Sequence, residues 1–101
     1  MASARLVKVE AGVFRLEGML DFDTVPSLLA ESETLFRGLP EISVDLAGVE
    51  HANSAALGLL IEWMDRARAA GQKIRFLNLP ASLTEIARVS HVTSLLDGAV
   101  G

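Results

Sequence analysis

The sequence predicts an α/β domain with a mixed four-stranded sheet and helices packed mainly on one face of that sheet. The apolar residues recur with a period of two in some segments and with a spacing of three and four in others. In chain order these patterns indicate strand, strand, helix, strand, helix, strand, helix. Strand–helix–strand crossovers join parallel strands and are almost always right-handed, so two successive crossovers place both helices on the same side. The 101 residues suffice for one core, and we expect a single domain over residues 1–101.

A hairpin and a helix are predicted at the start of the chain. Residues 6–9 and 13–16 have the apolar character of two short strands, and the tight turn at residues 10–12 makes the pair antiparallel. Asp23 or Thr24 is expected to cap the helix that follows. The apolar stripe of this helix consists of Val25, Leu28, Leu29, Leu35 and Phe36.

The central part of the chain, residues 42–70, predicts a buried strand and the longest helix. Residues 42–46 alternate apolar and polar side chains, and the turn-prone residues 47–51 follow. Asp45 is expected to help fix that turn. The helix then begins near Asn53 and ends before Gly71. Its predicted buried stripe is Leu57, Leu60, Ile61 and Met64.

The remaining elements are a short strand and a third helix. Residues 73–77 predict a strand with Ile74 and Phe76 on one face. Ser82 and Glu85 have capping-box spacing for a helix. This helix would bury Leu83, Ile86 and Ala87. We expect the apolar residues 91–96 to pack back on the core and the last residues to fray.

Composition excludes several classes of partner. The formal net charge is −4 without a basic cluster, which argues against nucleic acid as a ligand. Charged residues interrupt the N-terminal segment, unlike the apolar core of a signal peptide. The longest apolar run, residues 55–61, is far shorter than the ~20 residues that span a bilayer. We therefore expect no direct membrane insertion, and any membrane role would pass through a partner.

No set of catalytic or metal-binding residues is recognisable. The chain has no cysteine, so it lacks a thiol nucleophile and a disulfide framework, which fits a reducing cytoplasm. His51 and His91 are the only histidines and are far apart in sequence. The glycines form no phosphate-binding loop. We therefore expect a binding module without enzymatic activity, metal or cofactor.

Asn53 and Ser54, between the central strand and its helix, form the candidate functional site. Either side chain can accept a hydrogen bond from the free amides of the first helical turn, which leaves a polar, exposed helix tip. In one interpretation Ser54 is only a helix cap, a role worth about 1 kcal/mol. In the other, the tip docks on a partner, and Asn53, Ser54 and Ala55 lie in the contact.

Leu59 and Trp63 stand one helical turn apart and away from the predicted buried stripe of the same helix. Neighbouring helices that widen the buried arc would explain this placement. Alternatively, Leu59, Trp63 and the nearby Arg66 form a partner-binding hot spot, since Trp and Arg are enriched at such places. The sequence leaves both explanations open.

The segment VDLAGVEHANSAALGLL resembles the STAS domain, named for sulfate transporters and anti-sigma-factor antagonists. The resemblance rests on a strand, an Asp-Leu pair, a Gly-containing turn, two polar residues and a Leu-Gly helix start. In the anti-sigma antagonists the site typically reads Asp-Ser-Ser-Gly-Leu-Gly, and a kinase phosphorylates the second serine. That motif falls on residues 53–58 here, so the phosphoacceptor position is Ala55, which cannot be phosphorylated.

A second branch of the family is more similar at this point: the small cytoplasmic STAS subunit of bacterial Mla phospholipid-transport ABC systems, which carries a single hydroxyl residue where Ser54 stands. This chain has Ser in place of the expected Thr, and Asn53 in place of Asp. The resemblance implies an accessory subunit that binds the transporter's ATPase, and through it a membrane permease complex, in support of outer-membrane lipid asymmetry. Its place would be the cytoplasm, peripheral to the inner membrane. The alternative is an anti-sigma-factor antagonist with a kinase or anti-sigma partner and phosphorylation at Ser54.

Overall fold

Seven elements follow one another in the computed structural model, which describes residues 3–89, with side chains to residue 86. They are β1 (Ala4–Glu10), β2 (Val13–Leu20), α1 (Val25–Leu35), β3 (Glu41–Ala52), α2 (Ser54–Ala69), β4 (Lys73–Leu77) and α3 (Ala81–Val89). The predicted order of elements is confirmed. The expectations for the side chain of Ala87, the packing of residues 91–96 and the frayed end lie outside the described residues.

The sheet has the strand order β1-β2-β3-β4, with β1 antiparallel to β2 and the other neighbours parallel. One face of the sheet supplies large apolar side chains to the core, and the helices cover that face. The predicted mixed sheet with helices mainly on one side is therefore confirmed. The strands contribute Phe14, Leu16, Ile42, Val44, Leu46 and Phe76 to this core.

Strand β3 is longer than predicted, because residues 47–51 continue the strand instead of forming a turn. Strand β2 runs on to Leu20, so Met19 and Leu20 pair with His51 and Ala52 and satisfy the backbone of the extended β3. The register between β2 and β3 shifts twice, once between Arg15 and Glu17 and once between Gly18 and Met19. Such irregularities let two strands stay paired although their residues do not match one to one. Since parallel neighbours end together, the loops after β2 and β3 leave the sheet at the same edge.

The loop before α1 is held by side chains, although not in the predicted way. Thr24 is the N-cap residue, but its side chain does not bond to the first turn of the helix. Its hydroxyl instead donates to the carbonyl of Met19 at 2.8 Å. The carboxylate of Asp21 accepts from the backbone amides of Asp23 at 2.9 Å and Thr24 at 3.0 Å. These bonds give the loop between β2 and α1 a defined shape.

The start of α3 also differs from the capping-box prediction. Helix α3 begins at Ala81, so Ser82 lies inside its first turn and not at the cap position. Backbone amides of Leu83 and Thr84 donate to the carbonyl of Pro80, which closes the first turn. Leu83 is buried as predicted, and Ile86 packs against the core.

Asp45 fixes two segments of backbone near the end of β4. Its Oδ1 accepts from the amide of Ala47 at 2.8 Å and from Nδ2 of Asn78 at 2.9 Å. Asn78 has a φ of 56°, the left-handed region that Asn tolerates better than most residues. The Asn78 bond, the Ala47 bond and the charge of Arg15 hold the pKa of Asp45 below its ordinary value of 3.8.

We predict that Asp45→Asn makes the melting temperature less dependent on pH in the acid range. A carboxyl whose pKa is lower in the folded state stabilises the fold above its unfolded pKa of about 3.9, and this contribution is lost as pH falls through the folded pKa. The melting temperature of the wild type should therefore fall more steeply than that of the variant between about pH 5 and pH 3. Glu31→Gln, at an exposed carboxyl of α1, is the control. Parallel melting curves for wild type and Asp45→Asn would contradict the assigned role.

Candidate functional site

Asn53 caps helix α2, and Ser54 does not. The Oδ1 of Asn53 accepts a hydrogen bond from the amide of Ala55 at 2.8 Å, and Asn53 has the extended backbone typical of an N-cap. Ser54 is the first residue of the helix and is exposed. Its hydroxyl has no hydrogen-bond partner among residues 3–86. The interpretation of Ser54 as a cap is therefore wrong, and its hydroxyl is available at the surface.

Two small residues, Ala55 and Gly58, follow Ser54 in α2. Ala55 is only 8% exposed, so this position faces inward behind Ser54 and, contrary to the prediction, offers almost no surface to a partner. Gly58 lies one turn after Ser54 and is exposed. A Cβ added at Gly58 would meet no atom within 4 Å outside the helix's own backbone. Next to the Ser54 hydroxyl, the backbone of α2 is thus uncovered.

Leu59 and Trp63 belong to the core, which corrects the hot-spot hypothesis. Their exposed fractions are 0% and 1%. The indole Nε1 of Trp63 donates to the Oγ of Ser32 on α1 at 2.8 Å. The indole ring lies 5.4 Å from the ring of Phe36 and 6.4 Å from that of Phe76, between centroids. In this fold neither Leu59 nor Trp63 presents a surface to a partner.

The buried stripe of α2 is rotated from the predicted one because α2 packs against the sheet between α1 and α3. Flanking elements widen the arc of a helix that is withdrawn from water, as one of the two explanations anticipated. Leu57 and Leu60 are buried as predicted, whereas Ile61 and Met64 are only partly buried. The fully or nearly fully buried residues of the stripe are Ala56, Leu59, Leu60, Trp63 and Ala67.

Arg66 lies far from the tip of α2. Its Nε donates to the Oε2 of Glu62 at 2.9 Å, and its Nη1 lies 3.6 Å from the Oε1 of Glu33 on α1. Nη1 also donates to the carbonyl of Leu29 at 3.4 Å. Twelve residues separate Arg66 from Ser54, a distance of about 18 Å along a helix. The structure therefore brings Asn53, Ser54 and Ala55 together and leaves Arg66 in a contact between α1 and α2.

Phe22 is an exposed aromatic residue next to the tip that we did not predict as part of the site. It is 70% exposed and lies in the loop between β2 and α1. The amide of Asn53 donates to the carbonyl of Leu20 at 3.2 Å, which joins the two loops at their bases. His51 is exposed close to the same edge. The sequence did contain a signal for this exposed residue: a single aromatic side chain stands between two aspartates directly after a strand.

The chemistry at this edge is that of a contact surface: a hydroxyl, an amide and an aromatic ring. Residues 3–89 contain no group of three or more His, Cys, Asp or Glu side chains placed to hold a metal ion. Over the same residues, every helix falls short of the length and apolar character that crossing a membrane requires.

A family model described as "Mlab, STAS domain" matches residues 5–97 of the chain. The match begins inside β1 and includes the whole tip of α2. No curated protein matches the chain. The family match therefore covers the sheet, the helices and the candidate site together.

Proposed function

The chain belongs to the STAS family, in the group described as "Mlab, STAS domain", and from this membership we propose that it is a non-enzymatic accessory subunit of an Mla-type phospholipid-transport ABC complex. It binds the cytoplasmic ATPase of that complex and supports its assembly and activity. Through the ATPase it is held at the inner membrane next to the permease. Phospholipid is the cargo of the complex and not a ligand of this subunit.

The exposed glycine at position 58 carries the proposal that the tip of α2 is the ATPase-binding surface. A glycine inside a helix is about 1 kcal/mol less favourable than alanine. Gly58 does not have a positive φ. A Cβ added at this position would meet no atom within 4 Å outside the helix's own backbone, so there is room for a side chain. Within residues 3–89 nothing requires a glycine at this position. A partner that approaches the backbone of α2 closely would require one, and Ser54 lies beside that approach.

The subunit acts on the ATPase by binding one of its conformations more tightly than the others. A ligand shifts a conformational equilibrium only by its difference in affinity for the two states. If the tip of α2 binds the productive arrangement of the ATPase best, it raises the population of that arrangement. No catalytic group is needed on this chain for such an effect.

We predict that Ser54→Asp lowers the affinity for the ATPase at least tenfold and leaves the fold intact. A carboxylate at the first position of α2 suits the helix dipole, so the melting temperature should stay level or rise. The same charge in the middle of a contact must be desolvated, which opposes binding. Calorimetry with the purified chain and the purified ATPase measures this change in affinity.

Two variants serve as controls for this experiment. Ser54→Ala keeps the small size without charge and should bind nearly as well as the wild type. Thr34→Asp places the same charge near the far end of α1 and should also bind normally. If Ser54→Asp binds as tightly as Ser54→Ala, the tip of α2 is not the contact.

A regulatory switch of the anti-sigma-antagonist kind is the second candidate, and the exposed hydroxyl of Ser54 is the observation in its favour. The phosphoacceptor position itself, Ala55, has no hydroxyl and is buried. Capture of the tagged protein from gently solubilised cells, with identification by mass spectrometry, separates the two candidates. The transporter function requires an ABC ATPase with a permease. The switch requires a serine kinase or anti-sigma factor and a fraction of the chain phosphorylated at Ser54.

A further inference from the structure

Phe22 is a large aromatic side chain that the described fold holds out in water. At 70% it is more exposed than Val9, at 56%, and Leu77, at 37%, the other exposed large apolar residues among positions 3–86. The loop that carries it is ordered by the bonds of the Asp21 carboxylate to the amides of Asp23 and Thr24. A ring presented on an ordered loop loses little conformational entropy when a partner covers it, and aromatic residues are enriched in binding hot spots.

The ring lies at the same edge of the sheet as Ser54. Leu20 and Ala52 are neighbours in the parallel pairing of β2 and β3, and the amide of Asn53 donates to the carbonyl of Leu20. Phe22 follows Leu20 by two residues, and Ser54 follows Ala52 by two residues. The β2–α1 loop and the tip of α2 therefore leave the sheet side by side at one edge, and we call their exposed residues the tip surface: Phe22, Asn53, Ser54 and Gly58.

Two acidic side chains lie on the Phe22 side of this surface. Asp21 and Asp23 flank Phe22 directly. Neither forms a salt bridge with a side chain of residues 3–86. The basic residues Arg66 and Arg68 lie at the opposite end of α2. The tip surface is thus an apolar and polar centre with a negative rim beside Phe22.

We propose that Phe22 anchors the partner contact by entering an apolar socket whose rim carries Lys or Arg side chains, opposite Asp21 and Asp23. This inference rests on the proposed function, in which the partner is the ATPase, and it specifies the chemistry of the ATPase surface. The ring contributes the apolar centre of the contact. The rim charges raise the rate of association and select against partners with acidic surfaces.

The anchor is tested with Phe22→Ala and the purified ATPase. Because the ring is exposed, the variant should melt within a few degrees of the wild type and bind at least tenfold more weakly, mainly through faster dissociation. Val9→Ala, which shortens an exposed apolar side chain on β1, is the matched control and should bind normally. Phe22→Trp keeps an aromatic anchor and should retain more affinity than Phe22→Ala.

The basic rim is tested with ionic strength and with Asp23→Lys. Salt should slow association of the wild type, and Asp23→Lys should slow it further at low salt. Glu41→Lys makes the same charge change at the start of β3, the opposite edge of the sheet, and should have little effect. An association rate that is independent of salt, or equally slowed by both lysine variants, overturns the basic rim.

The outcomes distinguish the inference from the proposed function. If the wild type binds the ATPase and Phe22→Ala binds equally well, the inference is wrong and the proposed function stands. If the wild type fails to bind the ATPase at all, the proposed function is wrong and the inference falls with it. Loss of binding by Phe22→Ala but not by Val9→Ala, with both variants folded, supports both.

Discussion

Replacement of Trp63 by alanine is expected to lower the free energy of unfolding by about 3–5 kcal/mol, the range for removing a large aromatic side chain from a core. The side chain is 1% exposed and packs between Phe36 and Phe76. Its Nε1 also supplies the buried hydrogen bond to Ser32 that joins α2 to α1. Because domains of this size are stable by only about 5–15 kcal/mol, a large part of the stability is lost.

Urea unfolding followed by far-ultraviolet circular dichroism measures this effect. Trp63→Phe keeps an aromatic ring but loses the bond to Ser32, whose hydroxyl still donates to the carbonyl of Leu29 at 2.9 Å. The free energy of unfolding should therefore fall less for Trp63→Phe, by about 1–2 kcal/mol. A loss below about 1 kcal/mol for Trp63→Ala would contradict the core position. Weak partner binding by Trp63→Ala would report damage to the fold and not a missing contact.

Gly58→Gln is expected to stabilise the chain and to abolish most of its binding to the ATPase. Glutamine is a better helix former than glycine by about 0.5–1 kcal/mol, and the added side chain meets open space in this fold. At the partner surface the same side chain would separate the two backbones, and we expect at least a tenfold loss of affinity. Opposite changes in stability and affinity cannot result from misfolding.

The melting temperature and the affinity for the purified ATPase are measured on the same preparation. Gly58→Ala should show the same stabilisation with a smaller loss of binding. Ala69→Gln adds the glutamine side chain at the exposed far end of α2 and should bind like the wild type. A folded Gly58→Gln protein with full affinity would remove the observation that carries the proposed function.

Together these variants separate two roles on one helix. The inward side of α2, with Leu59 and Trp63, joins the helix to the sheet and to α1. The exposed start of the helix, with Ser54 and Gly58, makes little contact within the described fold. Substitutions on the first side should change stability, and substitutions on the second should change binding.

The sequence alone determined the order of elements, the mixed sheet and the family. Periodicity reports the pattern of burial along each segment, and the handedness of crossovers leaves few ways to arrange the segments. Periodicity also predicted that Ile74 and Phe76 lie on the same face of β4, and it predicted the central part of the buried stripe of α1. These predictions succeeded because a sheet or a single helix face covers the residues concerned.

The tertiary structure decided where the site lies and which residues belong to it. Only the length of β2 shows that residues 47–51 remain in β3, because strand ends depend on the partner's backbone. Only the packing of α2 between its neighbours shows that Leu59 and Trp63 are buried. Phe22 and Ser54 are 32 positions apart in the chain, and the pairing of two parallel strands brings them to one edge. Local patterns carry no information about such long-range neighbours, since those neighbours arise only when the whole sheet forms.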